Sequence, residues 1–346
     1  MVMAHRELVV IGASAGGVEA LREICAGFPA DLDAAVLVVM HTAAHSGGLL
    51  ANILNRAGPL TALNPVDGER IEKRKIYVAP PNQHMLIEDA HIRLIGGPRE
   101  NRHRPAIDPT FRSSAVSYGA RVIGIVLTGA LDDGTSGAMV ICAHGGAVIV
   151  QDPNTAMYRS MPESALRMVK NARVAAVKEI PRLIQQLVSE PLQESRTVAI
   201  DDERARKEVR MAEAEMAEIE NDDLHVGKPS VFGCPECGGV LWEIDQEGLL
   251  RFRCRVGHAY TAQNLGAEQR FVVETALWAA LRALEERASL YRVLAERARG
   301  AKLTSLSGFE EQADTAEHNA HILRDFLVNV SGSKTDEEIP PAEEVA

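Results

Sequence analysis

Along the first 190 positions, apolar residues come in short runs separated by stretches of helical spacing. Strands are predicted at 7–12, 35–40, 75–79, 91–95, 122–128, 146–151 and 173–177, and helices at 17–27, 47–56, 109–119, 135–143, 162–169 and 180–189. This alternation predicts an α/β domain over residues 1–190, a doubly wound, mostly parallel Rossmann-like sheet covered by helices. Ligand sites in such sheets lie at the carboxyl ends of strands.

Beyond residue 190 the pattern changes. Residues 191–225 read as a charged helical linker: Asp201 to Glu208 carry both signs at helical spacing, the signature of a solvated spacer. Met211, Met216 and Ile219 form one apolar stripe there, suited to docking. Residues 226–262 read as a small module, in which Val240–Ile244 and Leu249–Phe252 flank the turn Asp245-Gln246-Glu247-Gly248 as a hairpin. Residues 263–331 keep a 3–4 apolar spacing through Phe271, Leu277, Leu281, Leu284, Ala288, Tyr291 and Leu294. The spacing breaks from Gly300 to Gly308 and resumes with Phe309, Ala313, Ala316, Ala320, Leu323 and Leu327. That predicts an antiparallel helical hairpin or part of a coiled coil, with self-association through its apolar stripe. The tail, 332–346, is acidic and reads as disordered.

Composition narrows the function. The 346-residue chain carries a net charge of −11, which argues against a nucleic-acid partner. No apolar run reaches membrane-spanning length, and the first strand begins with no signal-peptide core before it. A cytoplasmic protein without membrane insertion is expected. Of five cysteines, Cys25 and Cys142 sit in apolar helical patterns, where buried thiols are the default. The other three cluster between residues 234 and 254.

The first strand, Leu8 to Ile11, runs into Gly12-Ala13-Ser14-Ala15-Gly16-Gly17. Small residues on both sides of Ser14 allow a sharp turn that holds its hydroxyl clear, with N–H groups of the following helix available as an oxyanion hole. A dinucleotide fingerprint would need Gly where Ser14 stands, and a P-loop would need Gly-Lys-Ser/Thr. The remaining alternative is a Gly-rich turn without chemistry, Ser14 serving only as a helix cap. Strand 35–40 ends in His41, with His45 as a nearby rival. Strand 122–128 leads into Thr128-Gly129-Ala130-Leu131-Asp132-Asp133-Gly134, where Asp132 competes with Asp133. A hydroxyl, an imidazole and a carboxylate at three strand ends supply a nucleophile, a base and an orienting acid. Their order, Ser…His…Asp, differs from the Ser…Asp…His of α/β-hydrolases.

Residues 5–190 resemble the catalytic domain of the chemotaxis protein-glutamate methylesterases, the CheB type. The matching segments are Ile11 to Gly17, Val38 to His41, Tyr77 to Pro81, Asn101 to Pro105, Leu127 to Gly134, Gln151-Asp152 and Ser160-Met161-Pro162. The resemblance implies hydrolysis of γ-glutamyl methyl esters on methylated chemoreceptors, with release of methanol, and deamidation of receptor glutamines. It makes Ser14 the nucleophile, His41 the base, Asp133 the orienting acid, and the N–H groups of Ala15 and Ala130 the oxyanion donors. No cofactor is needed for this catalysis. Arg102 and Arg104 are candidate contacts for substrate carboxylates. The chain departs from the family at Met40, Ala15 and Ala130-Leu131. The family's usual N-terminal receiver domain is not expected here, because the first catalytic strand starts at about residue 7.

Cys234-Pro235-Glu236-Cys237 and Cys254-Arg255-Val256-Gly257-His258 are two knuckle patterns separated by sixteen residues. So short a segment cannot bury enough surface to fold alone, and one structural zinc bound by Cys234, Cys237, Cys254 and His258 would supply the missing stability. A removable module on a charged spacer is expected to leave the 1–190 chemistry unaffected by metal loss. Two functions compete: a serine carboxyl-methylesterase, and an inactive esterase-like scaffold that recruits partners through its C-terminal region.

Overall fold

The computed structural model describes residues 4–43, 47–192, 202–213, 227–300 and 306–332. His45, Met216, Ile219 and the tail beyond Gly332 lie outside the described residues. In chain order the elements of the first part are β1 (Leu8–Ala13), α1 (Gly17–Ala26), β2 (Ala35–Met40), α2 (Leu49–Asn55), β3 (Thr61–Leu63), β4 (Lys75–Val78), β5 (His84–Glu88), β6 (His91–Ile95), α3 (Ile107–Tyr118), β7 (Val122–Val126), α4 (Thr135–Ala143), β8 (Ala147–Gln151), α5 (Ser160–Met168), β9 (Arg173–Ala175) and α6 (Ile180–Ser189). They are followed by α7 (Asp202–Glu213), β10 (Lys228–Gly233), β11 (Val240–Gln246), β12 (Leu249–Cys254), β13 (Ala259–Thr261), α8 (Ala262–Gly300) and α9 (Leu306–Gly332).

Seven strands form one parallel sheet in the order β3-β4-β2-β1-β7-β8-β9. β1, β2 and β7 are buried along their whole length because helices cover both faces, which is why their sequences are unbroken apolar runs. Val9 and Ile11 face Leu21 and Ile24 of α1 and Ile180, Ile184 and Leu187 of α6. Leu8 and Val10 face Phe111 of α3, Ile141 of α4 and Met161 of α5. Strand order reverses between β1 and β7, so their carboxyl ends open the crevice where such sheets bind ligands.

The run at 91–95 does not join this sheet. It pairs antiparallel with β5 through a turn at Asp89 and Ala90, both at positive φ, and packs Met85, Ile87 and Ile92 in the same core as Phe111 of α3. The predicted hairpin of residues 240–252 is present as β11–β12, within a four-stranded sheet of order β10-β11-β12-β13. Leu241, Phe252, Tyr260 and Leu265 form its small core.

The reading of α7 as a solvated helix is corrected. Ala205, Glu208, Met211 and Ala212 form a buried face at 3.6 spacing, with a carboxylate in its middle that is 1% exposed. Glu208 accepts hydrogen bonds from Arg112 of α3 (2.6 Å) and from Arg251 of β12 (2.6 and 3.0 Å). Arg253 donates to Glu100 at 2.7 Å and Arg112 to Glu100 at 2.7 Å. Burial opposes ionisation of both glutamates, but the surrounding guanidinium groups outweigh it and hold both carboxyls below their usual range. The described residues up to Leu265 accordingly form one compact unit, so the boundary expected between 1–190 and 226–262 is absent, and those from Gly266 onward form a second. In that second unit α8 and α9 run antiparallel: Arg299 meets Glu310, Arg292 meets Asp314, and Leu281 and Leu327 share one core.

Glu208→Ala should destabilise the first unit by about 3–5 kcal/mol, since it strands buried guanidinium groups. Urea unfolding of the full chain, read at pH 7, checks this. A solvated α7 would show almost no change. The two carboxylates titrate below the unfolded value of about 4.3. Their contribution is therefore complete above that pH and is lost only as pH falls further.

Candidate active site

β1 delivers Ser14 to the switch point. Its N–H donates to Thr128 O (3.0 Å), and Gly17 N–H donates to Ser14 O (2.8 Å), which closes the turn into α1. Gly16, at φ +72°, carries the sharp part of that turn, and Ser14 itself is not in the left-handed region. The Ser14 hydroxyl makes no helix cap. It donates instead to His41 Nδ1 at 3.0 Å. On the other side of the ring, His41 Nε2 donates to Asp133 Oδ2 at 2.7 Å. All three side chains are buried.

Asp133 is the most heavily bonded acceptor of the site. Oδ2 also accepts from Ile107 N–H (2.7 Å), and Oδ1 accepts from Asn101 Nδ2 (2.8 Å), Gly134 N–H (3.0 Å) and Asp108 N–H (3.3 Å). Two of these donors are the first N–H groups of α3, so Asp133 caps that helix from a distant loop. Burial works against its charge, but the bonds from His41, Ile107 and Asn101 prevail and hold its carboxyl well below the ordinary carboxylate range. Asp108, buried beside that charge, is pushed well up. An ionised Asp133 fixes the His41 proton on Nε2 and leaves Nδ1 as acceptor for the serine proton.

The other candidates separate. Asp132 does not touch His41: its Oδ1 accepts from Thr261 Oγ1 (2.6 Å) and Asn264 Nδ2 (2.5 Å), and burial raises its carboxyl to about 6. His103 stacks on His41, ring centroids 3.5 Å apart and planes 9° apart. Desolvation and the nearby His41 hold the His103 imidazole well below its usual value, so a neutral ring covers the base. Gly129 lies so close to Ser14 that a Cβ there would sit 2.8 Å from the serine Cβ and 2.1 Å from Met161 Sδ. Ala130 follows it, and neither its N–H nor that of Ala15 donates to a backbone carbonyl among the described residues. Such a constellation can transfer an acyl group: a hydroxyl nucleophile, an oriented base and backbone donors beside them.

The family model for CheB methylesterase matches residues 9–184. The chain belongs to the CheB methylesterase family. A protein of Leptospira interrogans, provisionally named protein-glutamate methylesterase/protein-glutamine glutaminase, is 36% identical over 182 residues, which cover 52% of this chain and 94% of that protein. Protein-glutamate methylesterase/protein-glutamine glutaminase 2 of Anaeromyxobacter dehalogenans is 35% identical over 184 residues, 53% of this chain and 54% of its own length. The crystal structure of the Thermotoga maritima CheB methylesterase catalytic domain superposes with a TM-score of 0.51 at 31% identity, covering 54% of this chain and all of that one. The residues matched by the family model include β2, β7 and the positions of Ser14, His41 and Asp133.

The family match stops before the Cys/His cluster. There, one ligand atom each of Cys234, Cys237, Cys254 and His258 lies within 4.8 Å of the others. Cys237 Sγ to Cys254 Sγ is 3.7 Å, and His258 Nδ1 is 3.5 Å from Cys254 Sγ and 3.7 Å from Cys234 Sγ. A tetrahedron with metal–sulfur bonds of about 2.3 Å has edges of about 3.8 Å, so the cluster could hold a metal ion. His258 Nε2 lies 3.1 Å from Glu236 Oε2, a carboxylate placed to fix the ring.

The sequence offered Asn101 only as the first residue of a matching segment, whereas it bonds the Asp133 carboxylate directly. Thr261 and Asn264 were missed. Their one local signal is a cap pattern, because Thr261 Oγ1 accepts from Asn264 N–H at the start of α8 (3.1 Å). Of the two arginines, Arg104 donates to Asn82 Oδ1 and to the carbonyls of Gly96 and Gly97, so its guanidinium is engaged within its own neighbourhood.

Proposed function

We propose that this chain is a serine carboxyl-ester hydrolase that removes methyl groups from glutamate γ-methyl esters of chemoreceptor-type proteins and deamidates glutamines on them. The observation that carries this reading is the continuous hydrogen-bond chain Ser14–His41–Asp133, buried at the switch point of a sheet that belongs to the CheB methylesterase family. His41 Nδ1 takes the Ser14 proton as Oγ attacks the ester carbonyl. The N–H groups of Ala15 and Ala130 hold the oxyanion. His41 returns the proton to the departing methoxide, methanol leaves, and water activated by the same imidazole releases the glutamate. A glutamine side chain would follow the same course with ammonia as leaving group. Arg102, next to the stacked His103, and Arg104 are the candidate contacts for receptor carboxylates. The inactive-scaffold reading has nothing in its favour, since no triad member is missing or displaced.

The test is methanol release from methylated receptor membranes. Ser14→Ala and His41→Gln should remove nearly all turnover. Asp133→Asn should cost about 10⁴-fold, because an amide favours the wrong imidazole tautomer. Asp132→Asn should stay within about tenfold of wild type, since its amide oxygen still accepts from Thr261 and Asn264. Ser14→Ala turnover near that of wild type would overturn the covalent mechanism.

The Cys234/Cys237/Cys254/His258 cluster is proposed as a structural zinc site, closed by four protein ligands. Metal analysis of the purified chain should find about one zinc per chain, and Cys254→Ala should lose it. Metal-free wild type with an unchanged unfolding curve would refute the assignment.

A further inference from the structure

The catalytic carboxylate sits between two loops, and residues of the 228–264 segment grip both of them. On the first loop, Asn101 N–H donates to Ala259 O (2.7 Å), Ala259 N–H donates to Arg99 O (3.2 Å), and Thr261 N–H donates to Asn101 Oδ1 (3.0 Å). That last bond leaves the Asn101 amide nitrogen as the group that faces Asp133. On the second loop, Thr261 Oγ1 and Asn264 Nδ2 both bond Asp132, the residue before the catalytic acid. Beside it, Ser136 Oγ of α4 donates to Gln246 Oε1 (2.7 Å), and Gln246 Nε2 donates to Ser136 O (3.1 Å).

The second loop needs this grip. Leu131 is buried and sits at φ +62°, a conformation that costs a non-glycine residue of order 1–3 kcal/mol and persists only where its surroundings over-determine it. It lies between Ala130, an oxyanion donor in the proposed mechanism, and Asp132, which the segment clamps.

The same segment carries the metal cluster. Cys254 ends β12, His258 precedes β13, and the next residues, Ala259 and Thr261, are the ones that touch the active-site loops. Arg253, adjacent to Cys254, ties the knuckle to the catalytic part by donating to Gly257 O (3.0 Å) and Glu100 Oε1 (2.7 Å).

We propose that Thr261 and Asn264 are positioning residues for hydrolysis, and that metal at Cys234, Cys237, Cys254 and His258 sets turnover by ordering the segment that presents them to Asp132 and Asn101. The metal itself touches no substrate. The inference rests on the hydrolase reading of Ser14, His41 and Asp133.

The test uses the full chain with p-nitrophenyl acetate as substrate and a fluorophosphonate probe that labels the activated serine. Metal content and thermal unfolding are measured on every sample. Thr261→Val and Asn264→Leu should lower kcat and the labelling rate by about 10- to 100-fold, the range of a roughly 1 Å misplacement. KM and zinc content should stay within about twofold of wild type, because substrate contacts and ligands are intact. Thr261→Ser, which keeps the hydroxyl, should restore the rate. Chelation of the unmodified chain should produce a similar loss, reversed by added zinc. If Thr261→Val does not fold, the chelation arm decides. Wild-type kcat in folded Thr261→Val and Asn264→Leu, or in metal-stripped wild type, overturns the proposal while leaving Ser14-dependent hydrolysis in place. Absence of any Ser14-dependent hydrolysis or labelling in wild type removes the hydrolase reading and this inference with it.

Discussion

An ionised carboxylate kept inside the protein is the constraint on which the rest of this structure depends. Asp133 is 1% exposed, and its charge would be costly there without full compensation. Compensation comes from five donors on four separate stretches: the β2 end, the loop at Asn101, the start of α3 and the loop entering α4. Each stretch must be in place for the charge to be tolerated, and the charge holds each in place. The tautomer of His41, the direction of the Ser14 hydrogen bond and the entry angle of α3 all follow from that one group.

The second buried cluster works in the same currency at a larger scale. Arg112, Arg251 and Arg253 share Glu100 and Glu208, all five nearly inaccessible to water. Removing charges of this kind from water costs several kcal/mol per ion, so such a cluster is poor glue by comparison with apolar packing. What it enforces is completeness. α3, α7, β12 and the loop at Glu100 each contribute a member, and any one of them withdrawn would leave the others unpaired. Docking of the C-terminal segment on the catalytic part is therefore close to all-or-none, unlike the gradual loosening of a hydrophobic contact.

Local pattern made the catalytic sheet legible. Unbroken apolar runs can be read as strands buried on both faces, and Ser14, His41 and Asp133 stand out because each follows such a run. The four Cys/His positions were legible for a similar reason, since knuckle spacing is short-range. What could not be read was anything held by partners distant in sequence. Glu208 looks like one more exposed charge of an amphipathic helix until Arg112, 96 residues away, and Arg251, 43 away, are brought to it. Asn101 was visible as a polar loop residue, but its bond to Asp133 spans 32 positions. The run at 91–95 was correctly a strand and wrongly placed, because the turn at Asp89-Ala90 pairs it with β5 before the sheet can take it. Sequence periodicity reports burial, and a buried charge breaks the equation of polar with exposed.

Topology explains why the triad has its particular order and orientation. β1 is the central strand, β2 its neighbour on one side and β7 on the other. Ser14 at the end of β1 therefore lies between His41, carried by β2, and Asp133, carried by the loop after β7, which gives Ser…His…Asp along the chain. His41 presents Nδ1 to the serine and Nε2 to the carboxylate, the reverse of the assignment in the chymotrypsin-type triad. Either nitrogen can serve as base, provided the other is held as a donor. The far nitrogen must then meet an anion that cannot take its proton. Four further hydrogen bonds to Asp133, besides that of His41, meet that requirement from parts of the chain that include no residue of β1 itself. The strand that carries Ser14 does not fix His41; the loops around it do, and in this protein those loops rest on the segment that bears the Cys/His cluster.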